Sequence, residues 1–292
     1  KMASIRYDQI PLTIQYGSRT EKILAYDCSL SETADLQPVY SIGKKGVAEQ
    51  APQGARTASV SFSYTPVLTG ITSERFKSKG DYNIINGVAS GLKTTKASQS
   101  SGVSLVFGGI SGEGLLTSYS VSLEPYAPVQ CSVNFELFGS GENIPASGEL
   151  KAQSLFRSPA SALASGVGHS AYSSFMTAQS PATITSSDET GILKSVNYSI
   201  NFNYEPVYKL GQEFPSTFLY HSATEEARLM ENVYETGIAF TGKSEKFHLD
   251  VKSIDNNNTI SVNMENPVLM STQLRVGSNG VAETEKTIRS FY

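Results

Sequence analysis

The eight residues Thr57-Ala58-Ser59-Val60-Ser61-Phe62-Ser63-Tyr64 alternate strictly between small or polar and larger apolar side chains. Successive side chains of a β-strand point to opposite faces, so this period of two predicts a strand with one face on a core. The same alternation returns in residues 118–123, 132–138 and 196–202. The outward positions are mostly Ser, Asn and Thr. The chain is therefore predicted to be mainly β, with outer strand faces that carry little charge.

The composition is that of a folded chain without a clamp for nucleic acid. Of the 292 residues, 39% are hydrophobic and 17% are charged, and 15 Tyr and 13 Phe suit aromatic packing across strands. The net charge of -4 is spread over both halves, so no basic stripe can grip phosphates. Cys28 and Cys131 are too few for a disulfide framework and are expected to be buried thiols.

Nothing in the sequence predicts a membrane segment. No apolar run approaches the roughly 20 residues that cross a bilayer. The start of the chain lacks the charged region and apolar block of a signal peptide. We therefore expect a chain that is made in a reducing cytoplasm and stays there until assembly.

An internal repeat divides the chain into two halves. The segment Pro38-Val39-Tyr40-Ser41-Ile42-Gly43 returns 168 positions later as Pro206-Val207-Tyr208-Lys209-Leu210-Gly211. A second echo follows in the same order, in which Ser120-Val121-Ser122-Leu123-Glu124 precedes Pro128-Val129, and Ser261-Val262-Asn263-Met264-Glu265 precedes Pro267-Val268. We interpret these echoes as a tandem duplication. The alternative is that β proteins reuse such short phrases by composition alone.

Two polar stretches set the predicted domain boundaries and are candidate assembly segments. Gly139–Ser174 is rich in Ser, Ala, Gly and Pro, and it has few apolar side chains that could anchor a core. This predicts a first domain at 1–150, a linker or arm at 151–174 and a second domain at 175–292. Lys77–Gly102 is the other stretch and is predicted to be a long loop, a kind of segment that is usually functional or disordered.

Each half is predicted to contain a short helix. Asp81–Leu92 has apolar residues at helical spacing, namely Ile84, Ile85, Val88 and Leu92. Thr224–Val233 gives the clearer signal, because Ser222 can cap the helix and Glu225 follows three residues later. The run Asp255-Asn256-Asn257-Asn258 has the chemistry of a hairpin tip.

No catalytic, cofactor or metal site is predicted. His248 and Asp250 share a strand face but have no third metal ligand at a suitable spacing, while His221 is predicted to lie in a loop. Gly108–Gly114 lacks the Lys of a phosphate loop and is predicted to be a hairpin turn. The sequence contains no nucleophile elbow, and the pair Glu225 and Glu226 is better explained by helix capping than by acid–base work. We therefore predict that the chain is not an enzyme.

Three phrases resemble virion structural proteins of tailed bacteriophages, and within that group the tail tube proteins. They are residues 115–122 (LLTSYSVS), 128–135 (PVQCSVNF) and 205–211 (EPVYKLG). The resemblance consists of short similar sequences that cover a minority of the chain, and it includes no diagnostic motif. It implies a β-sandwich or split-barrel domain with a flanking helix, of a size near half this chain, and hence two such domains in tandem.

The resemblance also implies a role and a location. The chain would be a non-enzymatic structural subunit of the virion tail, and its rings would stack into a tube through which DNA passes without specific binding. A ring would contain three chains that mimic six-fold symmetry, or else six chains, and would contact other tail proteins. Lys77–Gly102 and Gly139–Ser174 would then join subunits or rings.

The sequence is also compatible with two other classes of protein. One is a different virion β protein, such as a neck, hub, baseplate or capsid-decoration component. The other is a bacterial surface binding module. Strand edges with few lysines favour self-association in either case, because unprotected edges accept further strands.

Overall fold

The computed structural model describes residues 12–16, 19–23, 25–33, 36–52, 57–65, 84–95, 103–107, 110–124, 127–137, 151–152, 182–186, 191–210, 217–233, 246–252, 258–276 and 280–292. Helix α1 spans Ile84–Thr95. The strands are β1 Leu12–Tyr16, β2 Arg19–Ile23, β3 Ala25–Thr33, β4 Leu36–Val39, β5 Glu49–Pro52, β6 Thr57–Tyr64, β7 Val103–Phe107, β8 Ile110–Leu123, β9 Gln130–Leu137, β10 Lys151–Ala152, β11 Ala182–Ser186, β12 Gly191–Val207, β13 Thr217–Val233, β14 Phe247–Lys252, β15 Asn258–Met264, β16 Val268–Arg275 and β17 Glu283–Phe291. The chain is mainly β, as the alternation predicts.

Twelve strands form one large sheet. Its main path runs β16-β17-β13-β12-β8-β7-β1-β2, and β9, β6 and β3 continue from the other edge of β8. Strand β8 is long enough for several neighbours, because residues 110–114 pair with β7, 114–122 with β9 and 118–123 with β12. Strands β11, β14 and β15 form a second sheet, and β4 and β5 form a ribbon that continues the β3–β6 hairpin.

One strand order occurs twice in the chain. We call β1 together with β3–β9 the first unit, and β11–β17 the second unit. Strands β3, β6, β9 and β8 lie side by side in the first unit, as β12, β13, β17 and β16 do in the second. In each set the sheet places the first, second, fourth and third strands of the chain in that order. A three-stranded arrangement also recurs, as β1-β7-β8 and as β11-β14-β15.

The two units differ at the strand that leads into the last hairpin. In the first unit the single strand β8 pairs with both β7 and β9. In the second unit this span is divided into β15 and β16. Asn266, with a φ of 49°, and Pro267 lie between them. Proline cannot donate a ladder hydrogen bond and a left-handed residue turns the chain, so the strand is interrupted here.

A single hydrophobic cluster includes side chains from both units. The predicted alternation of β6 is confirmed, because its apolar residues are buried and belong to this cluster. Helix α1 adds Ile85, Val88 and Leu92, all fully buried, and β14 adds Phe247 and Leu249. The predicted helix at Asp81–Leu92 is thus confirmed as α1, apart from residues 81–83, which lie outside the described part of the chain. Burial of apolar surface on this scale is the main favourable term in folding.

The predicted helix at Thr224–Val233 is wrong, because these residues belong to β13. The segment is rich in helix-forming residues, yet its backbone pairs with β12 on one side and with β17 on the other. Tertiary pairing therefore overrides the local propensity. His221, expected in a loop, also lies in β13. A helix is found only in the first half among the described residues, so the expectation of one in each half is corrected.

The two predicted hairpins are confirmed by their flanking strands. Phe107 of β7 pairs with Ile110 of β8, and residues 108–109 lie outside the described part of the chain. Most of the predicted turn Gly108–Gly114 belongs instead to β8. Lys252 pairs with Asn258 across the β14–β15 hairpin, whose tip at 253–257 is also outside the described residues.

The two sequence echoes have different outcomes. Pro38 and Pro206 both lie near the end of a strand that runs into the hairpin connection of its unit. The second echo falls at places that do not correspond, since Pro128 lies between the paired strands β8 and β9, whereas Pro267 lies between β15 and β16, which do not pair. Of the predicted linker 151–174, only 151–152 is described, as strand β10 against β8.

Candidate functional site

The outer edges of β3 and β16 are the first candidate surface. Within the described residues, β3 pairs only with β6 and β16 pairs only with β17. An unpaired strand edge presents a row of backbone donors and acceptors that can accept another strand. The large sheet therefore has an open edge at an outer strand of each unit.

A junction between the same kinds of strand already exists inside the chain. Strand β8 of the first unit pairs with β12 of the second over six residue pairs, from Val196 opposite Leu123 to Asn201 opposite Ser118. Strand β16 holds the place in the second unit that β8 holds in the first, and β3 corresponds likewise to β12. The open edges are thus the unpaired counterparts of the strands that form this junction.

The outward face of the sheet is uncharged over much of the first unit. Hydroxyl groups face one another across strands, with Ser29 2.6 Å from Ser61 and Ser31 2.7 Å from Ser59 between oxygen atoms. Ser63 and Ser132 make a similar contact of 3.2 Å. This agrees with the predicted polar outer faces.

The corresponding face of the second unit carries charges in compensated groups. Glu226 accepts hydrogen bonds of 2.6 Å from Arg228 and from Arg289. Partial burial raises the pKa of the Glu226 carboxyl, but the hydrogen bonds and charges of the two arginines outweigh it and lower the pKa overall. Glu226 therefore serves an ion-pair network on the sheet, and not the helix cap predicted from the sequence.

The hairpin ends of the two units form the second candidate surface. The connection after Val39 and the connection after Val207 each hold nine residues, at 40–48 and 208–216. Both begin with an exposed tyrosine, and Ile42 and Leu210, which share a position in the repeat, are each 106% exposed. Strands β4 and β12 run in the same direction, because β3 and β12 are both linked to β8 by an odd number of antiparallel pairings. Equivalent apolar side chains therefore project at the same end of both units.

A buried polar cluster joins α1 to the second unit. Glu225, only 1% exposed, accepts hydrogen bonds from Tyr198 at 2.6 Å and from Tyr292 at 2.5 Å. Lys93 of α1 lies 3.1 Å from the same carboxylate, and its ammonium group is 5.0 Å from the centre of the Tyr292 ring. Lys93 also donates to the carbonyl of Asn263 in β15. The helix, the sheet and Tyr292 are thus held by one carboxylate.

The electrostatics of this cluster keep both phenols protonated. Burial, followed by the nearby Glu225 carboxylate, raises the pKa of Tyr198. Burial and the hydrogen bond to Glu225 also raise the pKa of Tyr292. A cavity of about 460 Å³ adjoins the cluster and is lined in part by Asn86, Ser90, Lys93, Glu225 and Asn263. Lys93 and Glu225 form an ion pair here, so the arrangement is suited to holding α1 against the sheet.

The residues predicted from sequence as possible ligands or thiols are not brought together. His221 contacts Glu205 at 2.6 Å on the exposed surface, while His248 lies in β14. Among the described residues no group of three or more His, Cys, Asp or Glu side chains could hold a metal ion. Cys131 is buried with Sγ 3.8 Å from the Tyr119 hydroxyl, and burial, followed by the charge of Asp27, raises the pKa of Cys28 to about 11.

The candidate segments Lys77–Gly102 and Gly139–Ser174 are described only in part. The first contains α1, which supplies Lys93 to the buried cluster, and the second contributes residues 151–152. The remainder of each segment and His169 lie outside the described residues. The Lys93–Glu225 pair could not be predicted from the sequence, because the two residues are far apart in the chain and Glu225 lay in a predicted helix.

None of the helical structure described is long and apolar enough to cross a membrane. A scan against protein-family models found no matching family, and a search of curated proteins found no significant match.

Proposed function

We propose that this chain is a non-enzymatic structural subunit that assembles into rings, and that the rings stack into the tail tube of a bacteriophage. The observation that carries the proposal is the β8–β12 junction, which joins two units of the same strand order within one sheet. The chain thus contains one copy of the contact that a ring would repeat. The short sequences that resemble tail tube proteins are the reason for proposing a tail tube as the assembly.

The proposal includes a tandem duplication of one β domain. Two sets of strands follow one order, and their hairpin connections have the same length and the same exposed apolar residues. Chance similarity between β proteins would have to reproduce each of these features separately. The two related domains share a sheet and a core, so they function as one body.

The expected ring contains three chains with pseudo-six-fold symmetry. If six domains close a circle, three chains of two domains each supply them. The alternative of six chains would leave one domain of each chain outside the wall. The shared sheet supports the three-chain ring, because it aligns both units along a single direction of strand pairing.

The lumen would let DNA pass without holding it. Phosphates are retained when Lys and Arg side chains displace their counterions. The serine-rich sheet face of the first unit offers hydroxyl groups in place of such charges. On the second unit Arg228 and Arg289 share the carboxylate of Glu226, and Arg275 pairs with Glu285. Other tail proteins would be the remaining partners, and the virion tail the place of action.

Negative-stain electron microscopy of the purified protein tests this function. We expect rings or tubes for the native sequence and loss of rings for Leu274→Asp, which places a charge at the open edge of β16. Leu219→Asp is the control, since Leu219 is similarly exposed but lies in β13 opposite Glu205 of β12, in neither of the two edge strands β3 and β16. Isolated monomers for the native sequence at high concentration would contradict the proposal.

A further inference from the structure

We propose that the open edge of β16 pairs with β3 of a second copy of this chain, antiparallel and in one register, with Leu274 opposite Leu30. This inference rests on the proposed function, since it names the partner and the register of the ring contact. It follows from locating, residue by residue, the counterparts of the β8–β12 junction.

Strand β3 of the first unit corresponds to β12 of the second, as the positions of a bulge in each strand show. The pairing of β3 with β6 is interrupted by a bulge between Ala25 and Asp27. The pairing of β12 with β13 is interrupted between Leu193 and Ser195. The residue numbers of the two bulges differ by 168, which is also the spacing of the repeated hairpin segment. A bulge is a specific local feature and tends to be kept within a family, so it marks equivalent positions.

Strand β8 of the first unit corresponds to β16 of the second, and a bulge again identifies the equivalent positions. The pairing of β8 with β9 has a bulge between Leu116 and Ser118. The pairing of β16 with β17 has a bulge between Leu269 and Ser271. These positions differ by 153. The same spacing relates Val121 to Leu274 and Leu123 to Val276.

The register of the β8–β12 junction predicts the register in which β16 and β3 would pair. In the junction within the chain, Tyr198 lies opposite Val121 and Ser199 lies opposite Ser120. Subtracting 168 from the residue numbers of β12 gives the equivalent positions in β3, and adding 153 to those of β8 gives the equivalent positions in β16. Leu30 then lies opposite Leu274, and Ser31 lies opposite Gln273. The same rule places Cys28 opposite Val276 and Ser29 opposite Arg275. No like charges face each other in these four pairs.

Exposure of apolar side chains identifies the same edge independently. Val121 and Leu123 are 0% and 4% exposed at the junction within the chain. Their counterparts Leu274 and Val276 are 42% and 71% exposed. In addition, the hydroxyl oxygen of Thr272 is buried and has no hydrogen-bond partner among the described residues. A strand added at this edge would cover the apolar side chains and offer backbone partners.

The contact uses two different edges, so it is heterologous. Such a contact produces a closed ring when the rotation per copy divides a full turn, and an open filament otherwise. A single chain cannot close the contact in its own sheet, where β6, β9, β8, β12, β13 and β17 separate β3 from β16. The occupant is therefore a second copy.

Disulfide cross-linking of Ser31→Cys with Gln273→Cys, in a Cys28→Ser background, tests the register. Directly opposed residues of antiparallel strands have Cβ atoms about 4.5–5.5 Å apart, close enough for a disulfide after a small adjustment. We expect a covalent ladder up to the full ring on a non-reducing gel. A mixture of two variants that each carry one of the introduced cysteines should give covalent dimers and nothing larger, because the remaining Cys131 is buried.

The matched control is Ser31→Cys with Leu274→Cys, whose side chains face opposite sides of the sheet in this register. Rings in the microscope without the ladder, or equal cross-linking of the control pair, would overturn the register and leave the proposed function standing. Monomers at every concentration would overturn both. A disulfide within a single chain would also contradict the inference.

Discussion

Glu225 places a carboxylate in the core of the second unit, where Lys93, Tyr198 and Tyr292 surround it. Transferring a charge out of water is costly unless a partner charge and hydrogen bonds compensate for it. Here the compensating groups come from α1, β12 and Tyr292. The cluster therefore makes the position of α1 depend on residues that are distant in the sequence.

Replacing Lys93 tests this dependence. Lys93→Ala should lower the free energy of unfolding by about 3 kcal/mol, because it leaves Glu225 buried without its counter-charge. Lys194→Ala is the control, since its ion pair with Glu283 is largely exposed and should contribute less than about 1 kcal/mol. Urea denaturation measures both values. Equal small losses would show that Glu225 does not depend on Lys93.

Stability should also fall in alkaline solution. The folded protein raises the pKa of Tyr198 and Tyr292, whereas tyrosines of the unfolded chain ionise near pH 10. Above about pH 10 the unfolded state has lost protons that the folded state retains, so the free energy of unfolding decreases as the pH rises. Urea midpoints between pH 8 and pH 11, conditions chosen to span the reference tyrosine pKa, measure the slope. Tyr198→Phe should make it shallower, and an unchanged slope would contradict this assignment.

Strand β13 shows how element structure depends on its neighbours. Its residues after Ser222 favour a helix locally, yet both of its edges are paired in the sheet. The inward positions include Glu225 and Glu231, each bonded to a lysine, and these charges conceal the period of two. Strand β6, which has no such residues, could be predicted directly. Helix α1 could also be predicted, because its buried positions are apolar except for Asn86.

Gly114 in β8 should be intolerant of a side chain. A Cβ atom at this position would lie 2.6 Å from the carbonyl oxygen of Glu136 in β9, so backbone would have to move. We expect Gly114→Ala to cost about 1–3 kcal/mol, as overpacked substitutions usually do. At Gly280 nothing lies within 4 Å of such a Cβ, and Gly280→Ala should be nearly neutral. Thermal unfolding of the two variants compares them, and similar melting temperatures would contradict the close approach.

The exposed hairpin ends should contribute to stacking rather than to folding. Ile42→Ser combined with Leu210→Ser should leave stability unchanged, since both side chains are fully exposed. The same variant should shorten tubes while keeping rings, because the two residues project at one end of both units. Tube length by electron microscopy is the measurement, with Val281→Ser as the control, since Val281 is also an exposed apolar residue but lies in the connection between β16 and β17. Tubes of native length would show that these ends do not mediate stacking.

For the whole molecule, the sequence predicted the β class but little of how the halves meet. The spacing of 168 relates the two hairpin connections, whereas the second repeated segment relates positions that do not correspond. Strand pairing between residues far apart in the chain leaves no local pattern. The junction of β8 with β12, the central evidence for the proposed assembly, could therefore be found only in the structure.

The number of chains in one ring tests the account most directly. Light scattering on the assembled fraction, with tubes removed, gives the ring mass, and each chain contributes 31.4 kDa. We expect three times this mass, because each chain supplies two units and one edge contact joins it to the next. A mass of six chains per ring, or a single chain at every concentration, would contradict it.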